Sequence, residues 1–376
     1  MKKSLLVLAA AVAVTVWGET AKLKVGMYLG RGGRSNGAAT WVRMLATAPE
    51  VEMSWLEGDD VRAGKLVGLD MVVMPGGSSD AQAESLGQEG RERIREYLRQ
   101  GGTYFGTCAG CSIVQDKTGF LRLLPYRKSK TVRRGGCMIG TDFLPEAESL
   151  MGLKAGVRKM TYHGGPLFEE TNPTNVPDCH DLKILARYAG SICESSKKPE
   201  NFPMQGRPAM ITAGYGKGKF VVTSFHPEHY PLTRDVIVAG VRYLTGRTIT
   251  LQTPIKPRNS LRVGYYTPAA MGRMSYLPIL ELDRISNVDV YLVDAEFIER
   301  GEMSHLDVLV VPEGDVAHVS GKNLLNAFRK EQISAFAARG GVVLSWGGMA
   351  KFCIPETRVV ADAKSVISTI KNLAGK

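Results

Sequence analysis

The sequence predicts an α/β fold: a three-layer sandwich with a mostly parallel sheet between two helical layers, followed by a second, degenerate copy of the same fold. Two observations support this prediction. Short apolar segments alternate with amphipathic ones, which is typical of parallel strands covered by helices on both faces. Several segments of the first half also recur after residue 260 of the 376-residue chain, which indicates an internal duplication.

The first copy begins with a predicted buried strand, "LKVGMYL" at residues 23–29, and a glycine-rich turn. The apolar residues of "ATWVRMLATA" have helical spacing. "LDMVVMPGG" predicts a strand that runs into a glycine turn. "GQEGRERIREYLRQGG" predicts an amphipathic helix that stops at Gly101 and Gly102. "TYFGTC" is the next predicted strand, and the helix after it is expected to begin at Ala109.

Beyond residue 155 the pattern changes and predicts antiparallel strand pairs, with a hairpin turn at Gly216 to Gly218. A helix follows at "TRDVIVAGVRYLTG". "LQTPIKPRNS", residues 251–260, has two prolines and no periodicity, so we predict a linker there. We therefore expect a first domain at residues 22–250 and a second domain at residues 261–376.

The second domain repeats three segments of the first. "LRVGYYT" resembles "LKVGMYL", "HLDVLVVPEGD" resembles "GLDMVVMPGGS", and "ISAFAARGGVVLSWGGM" resembles "IREYLRQGGTYFGTCAG". Counted from the paired glycines, Cys108 falls opposite Gly347. The second copy also stops before any counterpart of "SFHPEH". We expect the second copy to keep the fold and to lack the catalytic residues.

Residues 1–21 have the pattern of a secretory signal peptide, in which Lys2 and Lys3 precede an apolar run from Leu5 to Trp17. The run is shorter than the roughly 20 residues of a membrane-spanning helix. No cysteine lies near the expected cleavage site, so a lipid anchor is not predicted. We expect a soluble periplasmic or secreted protein without a stable membrane anchor.

Composition excludes wholesale disorder, since 44% of the residues are apolar and 23% are charged. The formal charge is +11, or about +9 without Lys2 and Lys3. The densest basic run is "RLLPYRKSKTVRR", and no nucleic-acid-binding signature accompanies it. A solvated loop and a site for an acidic ligand both remain open. Of the six cysteines, Cys179 and Cys193 are a plausible disulfide across a loop.

The heptad "FGTCAGC" carries the strongest functional signal. Cys108 lies in the spacing G-x-C-x-G, where a strand ends, a nucleophile occupies a tight turn and a helix begins. Gly106 and Gly110 are expected because neighbouring backbone leaves no room for a Cβ there. The helix N-terminus favours the thiolate form of a cysteine at this position.

A base for this nucleophile is expected in "SFHPEH", where His226 would take the thiol proton and Glu228 would orient the imidazole. Backbone N–H groups near Gly76 and Gly77, together with that of Ala109, are the candidates for stabilising an oxyanion. Substrate contacts at Tyr162, Gly164 and Gly165 in "YHGGP" are a further expectation; a plain glycine turn is the alternative.

Together these motifs resemble the class I glutamine amidotransferase-like superfamily. "FGTCAG", "VVMPGGSSD" and "YHGGPLF" look most like its biotin-protein ligase N-terminal-like domain family. The resemblance covers residues 23–248 strongly and the second copy weakly. It implies a flavodoxin-like sandwich with Cys108 as nucleophile, His226 as base and Glu228 as orienting acid. Gly76 and Gly77 match the oxyanion turn.

The expected function is an exported thiol hydrolase that cleaves an amide, peptide or ester bond through a thioacyl intermediate. Its substrate would be a small molecule or peptide, with an anionic substrate as one open alternative, and we expect no cofactor, no metal and no nucleic-acid partner. The alternative is a non-catalytic binding module for an anionic or envelope-derived ligand. A reversible Cys108–Cys111 disulfide, a thioredoxin-like dithiol and a zinc site with His226 and His229 also remain open.

Overall fold

The computed structural model describes residues 21–130, 137–190, 204–252, 256–268, 271–314 and 325–375. These residues form a nine-stranded sheet, a five-stranded sheet and a small two-stranded sheet. Residues 1–20 of the predicted signal segment, residues 131–136 with the end of the basic run, Cys193 and part of the predicted linker lie outside the described residues. No helix in the described ranges is long and apolar enough to cross a membrane.

The described residues of the first domain form eleven strands and six α-helices. Its strands are β1 Leu23–Tyr28, β2 Val51–Leu56, β3 Met71–Met74, β4 Thr103–Thr107, β5 Tyr126–Lys130, β6 Cys137–Phe143, β7 Gly156–Tyr162, β8 Leu167–Glu170, β9 Cys179–Tyr188, β10 Pro208–Tyr215 and β11 Gly218–Thr223. Its helices are α1 Asn36–Thr47, α2 Gly58–Arg62, α3 Ser79–Arg99, α4 Ala109–Ser112, α5 Pro145–Met151 and α6 Asp235–Thr245.

The large sheet has the order β2-β1-β3-β4-β11-β10-β9-β6-β7. Its first five strands are mutually parallel, and the remaining four extend it by antiparallel pairing. The parallel half has the flavodoxin-like order, in which the second strand lies outside the first and the later strands follow on the other side. The predicted fold class is confirmed, and ligands in such sheets bind beyond the carboxyl ends of the strands.

The second domain repeats this parallel arrangement in the order β13-β12-β14-β15-β16. Its strands are β12 Leu261–Tyr266, β13 Val288–Val293, β14 Val308–Val311, β15 Val342–Ser345 and β16 Arg358–Val359. Its helices are α7 Leu277–Asp283, α8 Ala295–Glu299, α9 Ala327–Ala338 and α10 Ala363–Ala374. The expected second copy of the fold is therefore present, with four helices in the described ranges.

Helix α1 connects the two domains. Ser35 caps it, since the Ser35 hydroxyl accepts a hydrogen bond from the N–H of Ala38. The apolar face of α1 is fully buried, and Trp41 packs edge-on against Phe105 of β4 at a ring distance of 5.2 Å. The same apolar cluster continues into the second domain, so both sheets share one core.

Several elements differ from the sequence prediction, among them α3, β2 and β6. Helix α3 begins at Ser79, well before the predicted start at Gly87, and Gly87 is instead a non-helical kink with φ of 64°. Strand β2 was not predicted, because its polar residues interrupt the apolar run. The antiparallel part of the sheet begins with β6 at Cys137, earlier than residue 155, because β6 pairs with both β7 and β9.

Candidate active site

Cys108 occupies the turn between β4 and α4, at the carboxyl edge of the parallel sheet. Its backbone has φ of 49° and ψ of −99°, a conformation that costs a non-glycine residue about 1–3 kcal/mol. The N–H of Cys108 donates to the carbonyl of Thr223 at 2.8 Å, which fixes the turn against β11. A Cβ at Gly110 would lie 1.9 Å from the Met74 carbonyl oxygen, so only glycine fits there. The strained strand–turn–helix geometry that the motif predicts is present.

His226 and Glu228 follow β11, which lies beside β4 in the sheet. His226 Nδ1 lies 2.7 Å from Glu228 Oε1, and both side chains are almost fully buried. Burial opposes protonation of His226, but the Glu228 carboxylate and the Cys108 sulfur outweigh it and raise the pKa of His226 well above its usual value. Burial likewise opposes ionisation of Glu228, and His226 outweighs it, so the pKa of Glu228 is lowered. The pair is thus suited to hold an imidazolium.

Gly76 marks the place where the nucleophile and base candidates meet. A Cβ built on Gly76 would lie 2.6 Å from His226 Cε1 and 3.4 Å from Cys108 Cβ. A sulfur and an imidazole that are more than a hundred positions apart in sequence therefore share one site. The Sγ of Cys108 lies 3.7 Å from the carbonyl oxygen of His163. His226 Nε2 is buried and has no hydrogen-bond partner among the described residues.

The backbone around Gly76 and Gly77 is rigidly held. The Ser35 hydroxyl donates to the Gly76 carbonyl at 3.0 Å. Gly77 has φ of 144°, and a Cβ there would lie 2.0 Å from the Gly32 carbonyl oxygen. Within the described part of the chain, the N–H groups of Gly76, Gly77 and Ala109 have no backbone acceptor outside the regular elements. These groups are available as donors, and their predicted role at an oxyanion stays a prediction.

The "YHGGP" segment borders the site, but its members differ in what they contact. Tyr162 is fully buried, and its hydroxyl donates to the Gly165 carbonyl at 2.8 Å. Gly164 has φ of 72°, and Gly165 packs against the Ser224 carbonyl so closely that a Cβ would lie 1.7 Å away. Tyr162, Gly164 and Gly165 thus build the turn. Its exposed residue is His163, whose ring lies 6.3 Å from that of His226.

His229, which the sequence suggested as one member of a possible zinc site, lies beside His226 in the structure. Its ring stacks on His226 at 4.4 Å, and burial lowers its pKa to about 3. Ligand atoms of His226, Glu228 and His229 lie within 4.8 Å of one another, which is compatible with a metal ion. His226 Nδ1 already pairs with Glu228 Oε1 at 2.7 Å, whereas Glu228 Oε2 and His229 Nε2 have no hydrogen-bond partner among the described residues.

The other cysteines in the described ranges are not part of the Cys108–His226–Glu228 arrangement. Cys111 is 1% exposed, and burial raises the pKa of its thiol well above the usual value. Cys108 and Cys111 are both free thiols, as is Cys179, whose suggested partner Cys193 lies outside the described residues. A buried thiol of raised pKa is a poor resolving cysteine for a redox dithiol.

The start of α1 is a part of the site that the sequence prediction missed. A Cβ on Gly37 would lie 2.7 Å from Glu228 Oε1 and 3.3 Å from His229 Nε2. The helix therefore approaches the carboxylate so closely that only glycine fits. The available signal was the Ser35-Asn36-Gly37 helix start directly after the first predicted strand and turn, at the same sheet edge as the nucleophile.

Comparisons with known proteins agree with this description. The family described as "Biotin-protein ligase, N terminal" matches residues 67–120, which include Gly76, Gly77 and Cys108. The Niallia circulans protein "Pyridoxal 5'-phosphate synthase subunit PdxT" is 40% identical over 142 residues, covering 37% of this chain and 74% of that protein.

A second relative is the "Biotin--protein ligase" of Schizosaccharomyces pombe, which is 26% identical over 176 residues, or 42% of this chain. The chain spans about a quarter of the length of that ligase, since the match covers 25% of it. Among solved structures, PurLQS from Thermotoga maritima is similar with a TM-score of 0.42 and 16% identity, covering 59% of this chain and 99% of that one.

Proposed function

Because the chain belongs to the class I glutamine amidotransferase-like superfamily, we propose that it is a cysteine-dependent hydrolase of an amide, peptide or ester bond. The observation that carries this proposal is the meeting of Cys108 and His226 over Gly76, with Glu228 behind the imidazole at 2.7 Å. A nucleophile, a base and an orienting acid in this order are the parts that covalent acyl transfer requires.

Acylation would begin from a Cys108 thiolate beside a protonated His226. The raised pKa of His226 supports this state, since an imidazolium stabilises a neighbouring thiolate. The sulfur attacks the carbonyl carbon of the substrate, and the carbonyl electron pair moves to the oxygen. N–H groups of Gly76, Gly77 and Ala109 would stabilise that oxyanion. When the oxyanion collapses, the bond to the leaving group breaks and His226 gives its proton to the departing amine or alcohol.

Deacylation would return the enzyme to its starting state. The now neutral His226 takes a proton from water, and the resulting hydroxide attacks the thioester carbon. Collapse of this second tetrahedral species breaks the C–S bond, releases a carboxylic acid and leaves thiolate and imidazolium. His229 stays neutral at physiological pH because burial lowers its pKa to about 3. A neutral neighbour avoids a second positive charge beside the imidazolium.

We also propose that the protein acts outside the cytoplasm. Lys2, Lys3 and the apolar run to Trp17 support this through the signal-peptide pattern. Fractionation of cells that produce the full chain, followed by N-terminal sequencing, tests this point. A mature N-terminus near residue 22 in the extracytoplasmic fraction supports export, and an intact N-terminus in the cytoplasm contradicts it.

The experiment for the hydrolase is to trap the acyl-enzyme. Intact-mass spectrometry after incubation with panels of amides, peptides and thioesters would show an added acyl mass that maps to Cys108. Cys108→Ser is the matched control for nucleophile identity, and Cys111→Ser is the control for the neighbouring thiol. If ligands from the panel stabilise wild type and Cys108→Ser equally against heat and no acyl mass forms, the protein is a binding module instead.

A further inference from the structure

Three side-chain donor atoms surround one point at the start of α1, and the position of a Cβ built on Gly37 marks that point. It would lie 2.7 Å from Glu228 Oε1, 3.3 Å from His229 Nε2 and 3.5 Å from His226 Nδ1. Outside α1 these are the three nearest atoms to the point. Because Gly37 has no side chain, the space between the donors is not filled by the helix.

Burial leaves these donors short of hydrogen-bond partners. The Glu228 side chain is fully buried and that of His226 is 6% exposed. The pair between His226 Nδ1 and Glu228 Oε1 at 2.7 Å satisfies two of the polar atoms. Glu228 Oε2 and His229 Nε2 have no partner among the described residues. A buried polar atom without a partner costs about 1–3 kcal/mol, so the two atoms indicate a ligand at this point.

The surrounding fold holds the three side chains in place. All three belong to one four-residue segment after β11, and the N–H of His226 donates to the Thr161 carbonyl at 2.7 Å. The His229 ring stacks on the His226 ring at 4.4 Å. Arg234 donates to the backbone carbonyl of Glu228 at 3.4 Å, so this contact leaves the carboxylate available. The donors are thus positioned without a bound ligand.

Two imidazoles and one carboxylate are a donor set typical of zinc. Histidine nitrogen binds Zn²⁺ at about 2.0–2.1 Å and carboxylate oxygen at about 2.0–2.2 Å, whereas Ca²⁺ and Mg²⁺ prefer oxygen donors. Ligand atoms of His226, Glu228 and His229 lie within 4.8 Å of one another. Side-chain shifts of roughly 1 Å would bring them to bonding distance of one ion. The His229 side chain is 20% exposed, so the site borders solvent.

We propose that His226, Glu228 and His229 form a binding site for a divalent transition-metal ion, with Zn²⁺ as the favoured ion. An ion on His226 Nδ1 replaces the proton that this nitrogen otherwise shares with Glu228. The remaining proton of the imidazole is then on Nε2, so His226 cannot accept a proton from water during deacylation. Bound Zn²⁺ therefore inhibits the enzyme at the acyl-enzyme stage. This inhibition rests on the proposed hydrolase function, whereas binding of the ion does not.

Zn²⁺ binding by the purified chain, after EDTA treatment and removal of the chelator, tests the site directly. Equilibrium dialysis with elemental analysis gives the stoichiometry and the dissociation constant. Cys108→Ser should bind Zn²⁺ as wild type does, because Cys108 is not among the donors. His229→Gln should weaken binding at least about a hundredfold, since even outer-shell partners of a metal site contribute about 10–100-fold.

Two further variants locate the ion. His180→Gln is the matched control for the loss of a histidine, because His180 also lies beside a carboxylate, that of Asp181 at 2.9 Å, but is 51% exposed. It should leave Zn²⁺ binding unchanged. His229→Cys in the Cys108→Ser background exchanges one ligand for another, so it remains informative if His229→Gln does not fold. With Co²⁺ it should gain a thiolate-to-cobalt charge-transfer absorption that Cys108→Ser alone lacks.

Absence of Zn²⁺ binding in wild type, or equal binding in wild type and His229→Gln, overturns the inference. Loss of binding in Cys108→Ser also overturns it, because the ion would then lie on the thiol. Zn²⁺ should lengthen the lifetime of the acyl-enzyme in wild type but not in His229→Gln, and an unchanged lifetime with Zn²⁺ bound contradicts the inhibition. If the metal-free protein forms no acyl-enzyme, the proposed hydrolase fails, and the dialysis result still decides the metal site.

Discussion

The two copies of the fold retain the same turn and differ in what surrounds it. Cys108 after β4 has φ of 49°, and Gly347 after β15 has φ of 62°. Beside the first turn lies Gly76, whose missing side chain leaves room for Cys108 and His226. Its counterpart Glu313 fills that room in the second copy, because a Cβ on Gly347 would lie 2.8 Å from the Glu313 carboxylate.

The strand that carries the base differs as well. In the first copy β11 is six residues long and leads to His226, whereas β16 in the second copy is two residues long. The chain after β16 enters α10, and residues 360–375 contain no histidine. The left-handed turn after the fourth strand is therefore present in both copies of the fold, whether or not a cysteine occupies it. The proposed chemistry depends on the space at Gly76 and on the residues after the fifth parallel strand.

The largest expected effect comes from copying the second site into the first. Gly76→Glu would place a carboxylate where a Cβ already lies 2.6 Å from His226. The carboxylate would displace the imidazole and repel the thiolate, so we expect the alkylation rate of Cys108 at pH 7 to fall about thirtyfold, to that of an ordinary thiol. Glu313→Gly in the second copy is the matched control and should leave the rate unchanged. An unaltered alkylation rate in Gly76→Glu would contradict the claim that the proposed chemistry depends on the space at Gly76.

A smaller effect is expected from Glu228→Gln, which keeps the shape of the side chain and removes its charge. Without the carboxylate, burial dominates and the pKa of His226 falls, so the imidazolium no longer supports the thiolate at neutral pH. The alkylation rate of Cys108, measured as a function of pH, should therefore be about tenfold lower at pH 7. Glu169→Gln, at an exposed residue, is the control. A pH profile identical to that of wild type would contradict the role of Glu228 in supporting the His226 imidazolium.

The reverse substitution, which places a cysteine at the turn of the second copy, tests whether the turn alone activates a thiol. Gly347→Cys forces a non-glycine residue to φ of 62°, so we expect a loss of about 1–3 kcal/mol in the free energy of unfolding. In a Cys108→Ser background the new thiol should react no faster than a free thiol, since in the described part of the chain no histidine follows β16 as His226 follows β11. The double variant Glu313→Gly/Gly347→Cys removes the crowding and should recover part of the stability. Fast alkylation at position 347 would show that the turn alone activates a thiol.

Much of the first site could be predicted because its signals are local. The strand, turn and helix around Cys108 are contiguous, and the "HPE" segment follows an apolar strand with its own hairpin turn. The cross-strand placement then follows from the rule that parallel strands end at one edge. The kink at Gly87 and the strand β2 were not predicted, because Gly87 stands at the start of an amphipathic pattern and polar residues interrupt the apolar run of β2.

The contact between the two domains could not be predicted for a different reason. The Arg43 guanidinium on α1 donates to the Val290 carbonyl of β13, which lies 247 positions later in the chain. No local pattern encodes such a contact. The stacking of His229 on His226 likewise depends on the path of the chain after β11.

The smallest expected effect concerns His229. Burial lowers its pKa to about 3, so the folded protein stays neutral there while the unfolded chain binds a proton below about 6.5. This difference in proton binding at His229 therefore lowers the free energy of unfolding as the pH falls from 6.5 toward 3. Between pH 6.5 and 5, the free energy of unfolding of His229→Gln should fall by about 1–2 kcal/mol less than that of wild type. Urea unfolding with EDTA present measures this difference.

His180 provides a control of opposite sign. Its pKa is raised by the Gly216 carbonyl and by Asp181, so it stabilises the folded state below its unfolded pKa and this contribution is lost as the pH rises through the folded value. His180→Gln should therefore lose more stability than wild type on acidification. Equal pH dependence in wild type and His229→Gln would contradict the neutral, buried state of His229.

The most direct test of the central claim is the alkylation rate of Cys108 by iodoacetamide at pH 7, with peptide mapping, in wild type, His226→Ala and His226→Gln. Two substitutions of different size separate the loss of the imidazole from a local rearrangement. If His226 activates Cys108, wild type should react at least about tenfold faster than a free thiol, and both variants should fall to the free-thiol rate. A wild-type rate equal to that of a free thiol, or one unaffected by both substitutions, would contradict the account.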